Sequence, residues 1–255
     1  MEDTMTSLKN SARLAGFLYL VMILSALYSH MYVPLQLWVK GDALATTRNI
    51  LDHETLFRTC ILVNLIGAII FLFLALNLDR LLRKVDPQLS RIMMVLVHLQ
   101  VPVIFVLAIF KLTALMLLKS GVSSIVATDQ LPHLAMLFLE MNGYGSMILG
   151  LFAGLWLIPF GMLTYRSKFI PRVLGILLIT AGAGYALTSV LAMTVPVFSA
   201  QAQMLPFIFF ALGEVPIMLW LLIKGIREHV SVIVISETKT TIRPSNRSMK
   251  EYIDH

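Results

Sequence analysis

The chain has 255 residues, of which 58% are hydrophobic and only 13% charged. A soluble domain carries about 25% charged residues, so the composition excludes an ordinary soluble globular protein. The net charge of +6, in a chain this apolar, points to basic loops beside a membrane rather than to a nucleic-acid partner.

Long apolar runs recur, each near the roughly 20 residues that cross a bilayer. None alternates as the strands of a transmembrane barrel do. The expected fold is all-α: a polytopic membrane protein built as a six-transmembrane-helix bundle, with the lipid bilayer as its surroundings. Helix one runs from Leu14 to Val33 behind Lys9 and Arg13. Its apolar core is too long for a signal peptide, and no small-residue cleavage site follows. The next connection, Pro34 to Thr55, contains GDALATTRNILDHE. There Asp42 caps a short amphipathic helix between helices one and two, with Leu44, Ile50 and Leu51 as its apolar positions at the outer surface. Helix two spans Leu56 to Leu78 and ends in DRLLRK, and helix three spans Ile92 to Leu118. A second short helix is expected from Val122 to Asp129.

Helix four extends from Pro132 to Tyr165. At 1.5 Å per residue this is about 50 Å, against a hydrocarbon core of about 30 Å. Its first turns therefore project from the core, or NGYG (142–145) splits it in two. Helix five covers Val173 to Val195 and helix six Met204 to Ile223. These six helices form one domain, residues 1–228. Residues 229–255 form a polar, basic and mostly disordered tail in which VSVIVIS (230–236) is β-prone without a partner strand.

Orientation follows from the cations. Lys9, Arg13, Arg80, Arg83, Lys84, Arg91, Arg166, Lys168, Arg172, Lys224 and Arg227 fall on one side. Only Lys40, Arg48, Arg58 and Lys119 fall on the other. The richer side is cytoplasmic, which puts both termini there.

The stretch YRSKFIPRVLGILLITAGAGY (165–185), with ARLAGFLYL (12–20), LFR (56–58) and GEVPIMLWLLIKG (213–225), resembles a bacterial membrane family known only as domain of unknown function 4386. The resemblance covers roughly residues 10 to 228. It implies a six-helix protein of the bacterial inner membrane and brings no activity, cofactor or functional residue with it. In FLEMNGYG (138–145) the carboxylate stands where family members often have an acidic residue before a similar YG step.

The common catalytic patterns, a phosphate loop, HExxH, CxxC or a GxSxG elbow, do not occur. The six histidines are scattered without metal-ligand spacing, and His98 reads as a hydrogen-bonded helical residue. The single cysteine, Cys60, forms no disulfide and reads as a small packing residue. No cofactor or metal is expected, and the balance is against an enzyme. Ser146, Gly150 and Gly154 on helix four, and Gly175, Gly182 and Ala186 on helix five, are rows that let backbones approach closely. The three cations of YRSKFIPR serve topology and headgroup contact, with an anion site as the alternative.

Ionisable residues inside apolar runs are functional candidates when partners can be named. Arg58 and Lys111 each lie about 30 Å from the cytoplasmic ends of their helices, and Glu140 about 36 Å along helix four. An Arg58–Glu140 or Lys111–Glu140 contact in an outer vestibule is the expectation, with headgroup snorkelling as the alternative.

Glu214 differs. Counted back from Lys224 it lies about 15 Å deep, near the midplane, with no lysine or arginine at its level. Polar residues expected there are Ser25, Tyr28, Gln100, Thr180 and Tyr185. A neutral acid with such partners is the expected form. Pro216 lacks an N–H for the carbonyl four residues earlier and bends the helix.

The candidate ligand- or proton-binding residues are Glu214, Glu140, Lys111, Arg58, Gln100 and Tyr185. They point to proton-linked binding or transport of a small molecule of unknown identity. A homodimer would supply the half that six helices without an internal repeat lack. A non-transporting partner subunit, stress-response factor or lipid-binding module is the alternative. An intramembrane lipid enzyme using Glu140, Asn142 and Tyr144 is the weakest reading.

Overall fold

The computed structural model describes residues 2–119, 130–195 and 205–225. The segment 122–129 and the tail 229–255 lie outside them, so neither the second short helix nor the disordered tail is addressed. Every described segment longer than a turn is helical. Helix α1 (Glu2–Leu27) continues through a π-helical turn at Tyr28–Tyr32 into α2 (Val33–Leu37). Helix α3 is Ala43–Asp52, α4 Glu54–Leu82, α5 Pro87–Lys119, α6 Leu131–Arg166 and α7 Arg172–Thr194. Helix α8 (Leu205–Phe209) passes through a second π-helical turn, Phe210–Glu214, into α9 (Val215–Ile223).

Six helical stretches are long and apolar enough to cross a membrane: Leu8–Leu37, α4, α5, α6, α7 and Leu205–Ile223. Only 28–44% of each apolar window is buried inside the protein, so most of these side chains need lipid around them. The chain is a multi-pass membrane protein.

The spans pack in chain order, α1 on α4, α4 on α5, α5 on α6 and α6 on α7. Helix α7 holds α8 and the turn 210–214, and α9 returns onto α1 to close a six-membered ring. One end carries the short connections after Leu82 and after Arg166 and is rich in arginine and lysine; it is called the basic end here, and the opposite one the far end.

The closing contact is set by glycine. A Cβ on Gly16 would collide with the Leu222 backbone nitrogen and lie 2.7 Å from its Cα. The α6–α7 pair is equally close. A Cβ on Gly161 or on Gly175 would lie 2.7 Å from the other's carbonyl oxygen, and one on Gly182 would lie 2.7 Å from Gly154 O. Gly154, Gly175, Gly182 and Ala186 of the expected rows thus meet at close backbone contacts, while Ser146 and Gly150 line a cavity instead.

Helix four differs from one of the two readings made of it. Residues 142–145 do not interrupt α6, which runs unbroken for 36 residues with Pro159 inside it. Its first turns are covered, because Leu131, Ala135 and Leu139 join a far-end apolar core with Val33, Leu37, Ile50 and Phe57. Helix α3 packs across α6 there. Asp42 caps α3 as expected, its Oδ1 accepting from Ala45 N at 2.8 Å. The three apolar positions of α3 divide between inside and outside. Ile50 is buried with Thr46 and Thr47, while Leu44 and Leu51 are exposed. The threonines tolerate burial because their hydroxyls donate to Asp42 O and Ala43 O at 2.8 and 2.9 Å.

At the basic end, Arg166 pairs with Asp86 at 2.7 Å and Arg172 lies over the Tyr165 ring at 5.5 Å. Two of the three cations of YRSKFIPR therefore have partners of their own. This favours a structural turn over an anion site. The turn is tight: Phe169 N donates to Ser167 O at 2.7 Å across Lys168, whose φ is 60°.

Candidate functional site

Two polar groups lie inside the ring. The first centres on Glu214, which is 6% exposed. Tyr19 OH donates to its Oε2 at 2.8 Å and Tyr185 OH to its Oε1 at 3.2 Å. One carboxyl thereby joins three spans, α1, α7 and the sixth. No described lysine or arginine pairs with it. Gly213 makes this position accessible to α7, since a Cβ there would collide with that of Ala181.

The local backbone follows from Pro216. In a regular α-helix its ring clashes with the carbonyl four residues back. Here the preceding turn widens, and Val215 N–H reaches five residues back to Phe210 O. Single π-helical turns of this kind occur frequently at functional sites.

Of the partners expected from depth, Tyr185 is present and the others are not. Ser25 donates to Val21 O, Tyr28 shares a hydrogen bond with Thr59, and Thr180 is exposed. Tyr19 went unrecognised, although the signal was there. It is ten residues beyond Lys9, about 15 Å deep, the level found for Glu214 from Lys224. Tyr19 also belongs to an aromatic layer across the ring. Trp156 stacks on Phe160 at 5.6 Å, Phe71 meets Trp156 edge-on at 5.0 Å, and Tyr19 lies 6.3 Å from Trp156.

The second group lines a cavity of about 220 Å³ on the far side of that layer. It separates the large core around Tyr19, Leu78, Phe160 and Leu178 from the far-end core. Lys111, Gln100, His30, Asn64, Asn142 and Ser146 supply its polar lining, and Ile104, Leu107, Leu149 and Ala153 its apolar lining. Ala153 is one helical turn from Trp156, so the aromatic layer bounds the cavity at that end.

Lys111 is 8% exposed, and its one polar contact among the described residues is Cys60 Sγ at 4.0 Å. Cys60 is fully buried as a packing residue, its thiol donating to Ser29 O at 3.4 Å. The Asn64 amide donates to His30 Nε2 at 3.0 Å. The Asn142 amide donates to Leu107 O at 2.9 Å and that of Gln100 to Leu96 O at 3.2 Å.

The expected vestibule of Arg58, Lys111 and Glu140 does not assemble. Glu54 takes Arg58 at 2.6 Å and Lys119 at 2.8 Å, and Glu140 is exposed without an ion pair among the described residues. Shared depth says nothing of the rotation of each helix. Successive helical residues turn by about 100°, which sends Lys111 inward and Arg58 outward. The trio Glu140, Asn142 and Tyr144 separates for the same reason. Asn142 lines the cavity, while Glu140 and Tyr144 face outward. His98 is bonded as expected, Nδ1 donating to Met94 O at 2.7 Å, yet it is exposed rather than in the core. No group of three or more metal-ligating side chains occurs among the described residues.

Neither a curated protein nor a solved structure matches the chain. A family model does, over residues 14–225. The match takes in the glycine-closed ring, the Glu214 group and the cavity, and this six-span membrane protein belongs to the family described as Domain of unknown function (DUF4386).

Proposed function

We propose that the protein binds and transports a small molecule across a bacterial inner membrane, with Glu214 as the group that takes up and releases a proton. Its basic end faces the cytoplasm in this reading, following the lysine and arginine bias. The observation that supports it is the setting of Glu214: buried, hydrogen-bonded to two phenols, without a cation among the described residues, and on a π-helical turn before a proline. A carboxyl in that setting changes charge only when its surroundings rearrange, which is what coupling a proton to a conformational step requires.

The test uses vesicles loaded with a pH-sensitive dye. With a panel of small organic acids, amines and sugars outside, wild-type protein dissipates an imposed pH gradient several-fold faster than protein-free vesicles for at least one solute. Glu214→Gln returns that rate to the protein-free value. Equal solute-dependent rates in the two proteins refute the reading.

The same hydrogen bonds support a second reading, in which the carboxyl only ties three spans together in a non-transporting module. Melting of Glu214→Gln and Glu214→Leu separates the two. Under the second reading glutamine keeps an acceptor for the tyrosines and melts near wild type, leucine lowers the melting temperature, and neither alters proton movement.

A further inference from the structure

The cavity beyond the aromatic layer holds a lysine that no carboxylate among the described residues pairs with. A buried ammonium is costly unless an anion or a set of hydrogen-bond acceptors compensates it. At Lys111 the described residues offer one thiol sulfur at 4.0 Å. Glu54, on the neighbouring span α4, is held by Arg58 and Lys119, and Glu140 is exposed.

We propose that this cavity is a binding site for a small monocarboxylate. The carboxylate sits against Lys111, and the apolar body lies along Ile104, Leu107 and Leu149. One cation suits one negative charge, whereas a phosphate group is usually met by several donors or an arginine fork. Asn142 and Gln100 each commit one amide N–H to a helix carbonyl. A primary amide has two N–H donors, so each keeps another for a carboxylate oxygen. The volume of about 220 Å³ lies below the range of about 300–1,000 Å³ usual for drug-sized ligands, which limits the ligand to a small acid or the head of a longer one. His30 is the exposed member of the polar lining, and the His30–Asn64 bond marks the entrance.

The assignment deepens the transport reading by naming a ligand class, but it is read by equilibrium binding alone and so fails or stands apart from Glu214. Full-length protein in lipid nanodiscs is titrated with benzoate, a water-borne carboxylate, and with decanoate, a membrane-borne one, against empty nanodiscs. Saturable binding of either is expected, and the tighter of the two identifies the source. Lys111→Met weakens it tenfold or more. Leu149→Trp, which fills the cavity and leaves Lys111 in place, does the same, and benzyl alcohol binds at least tenfold more weakly than benzoate. If Lys111→Met does not give monodisperse protein, Leu149→Trp and the benzyl alcohol comparison decide. Absence of saturable carboxylate binding to wild type overturns the proposal. So does unchanged affinity in Lys111→Met or Leu149→Trp, or tighter binding of inorganic phosphate than of benzoate.

Discussion

Gly16→Leu is expected to open the ring between its first and last spans. A Cβ at residue 16 collides with the Leu222 backbone nitrogen and lies 2.8 Å from the Leu221 carbonyl carbon. Backbone atoms have no alternative rotamer, so α9 must move away from α1. Overpacking of this kind costs about 3 kcal/mol. At roughly 3 °C per kcal/mol for a chain of this size, the melting temperature falls by on the order of 10 °C. Under the proposed transport reading, activity falls along with stability. Tyr19 is one turn from Gly16, and its 2.8 Å bond to Glu214 depends on the same approach. Gly16→Leu should melt early in detergent and, under the proposed transport reading, show in vesicles the loss of solute-dependent proton movement expected of Glu214→Gln. Melting within about 2 °C of wild type would mean that this contact does not close the ring.

Gly182→Leu is expected to separate α6 from α7 with a comparable loss of stability. The added Cβ would lie 2.7 Å from Gly154 O, 3.0 Å from Ile158 Cγ1 and 3.1 Å from Leu157 Cβ. The reverse contact is equally tight, a Cβ on Gly154 lying 2.6 Å from Ala186 N. In lipid, such close packing replaces the hydrophobic effect as the force between helices, so little else compensates. Here too the cost is about 3 kcal/mol. Gly143→Leu is the control. It lies on the same α6 with nothing within 4 Å of an added Cβ, and leucine gains up to about 1 kcal/mol of helix propensity over glycine. The expected order of melting temperatures is Gly182→Leu far below wild type, with Gly143→Leu equal to it or above. The reverse order would refute the packing assignment.

Only the second prediction rests on residues visible before the structure, because Gly16 belonged to none of the expected small-residue rows. Gly154, Gly182 and Gly175 stood out by spacing, and Glu214 by being a carboxylate in an apolar run. Their partners did not stand out. Tyr19 is an ordinary aromatic residue in an apolar helix, and only the shared depth measured from Lys9 and Lys224 connects it to Glu214. The cavity was less legible still. Its polar residues, His30, Asn64, Gln100, Lys111, Asn142 and Ser146, come from four spans at no regular spacing. Two of them, His30 and Asn64, carried no signal beyond being polar in an apolar run. The Arg58–Glu140 contact failed for the complementary reason, because Glu54, four residues from Arg58 on the same helix, was the nearer partner.

The sequence by itself determined the class, the number and order of the spans and the small-residue rows. All of these follow from the length of apolar runs and a fixed rise per residue, which are local quantities. Tertiary structure decided which side of each helix faces inward. That rotation comes from packing between spans, and it put Lys111 in a cavity, Glu140 outside, and Tyr19 against Glu214.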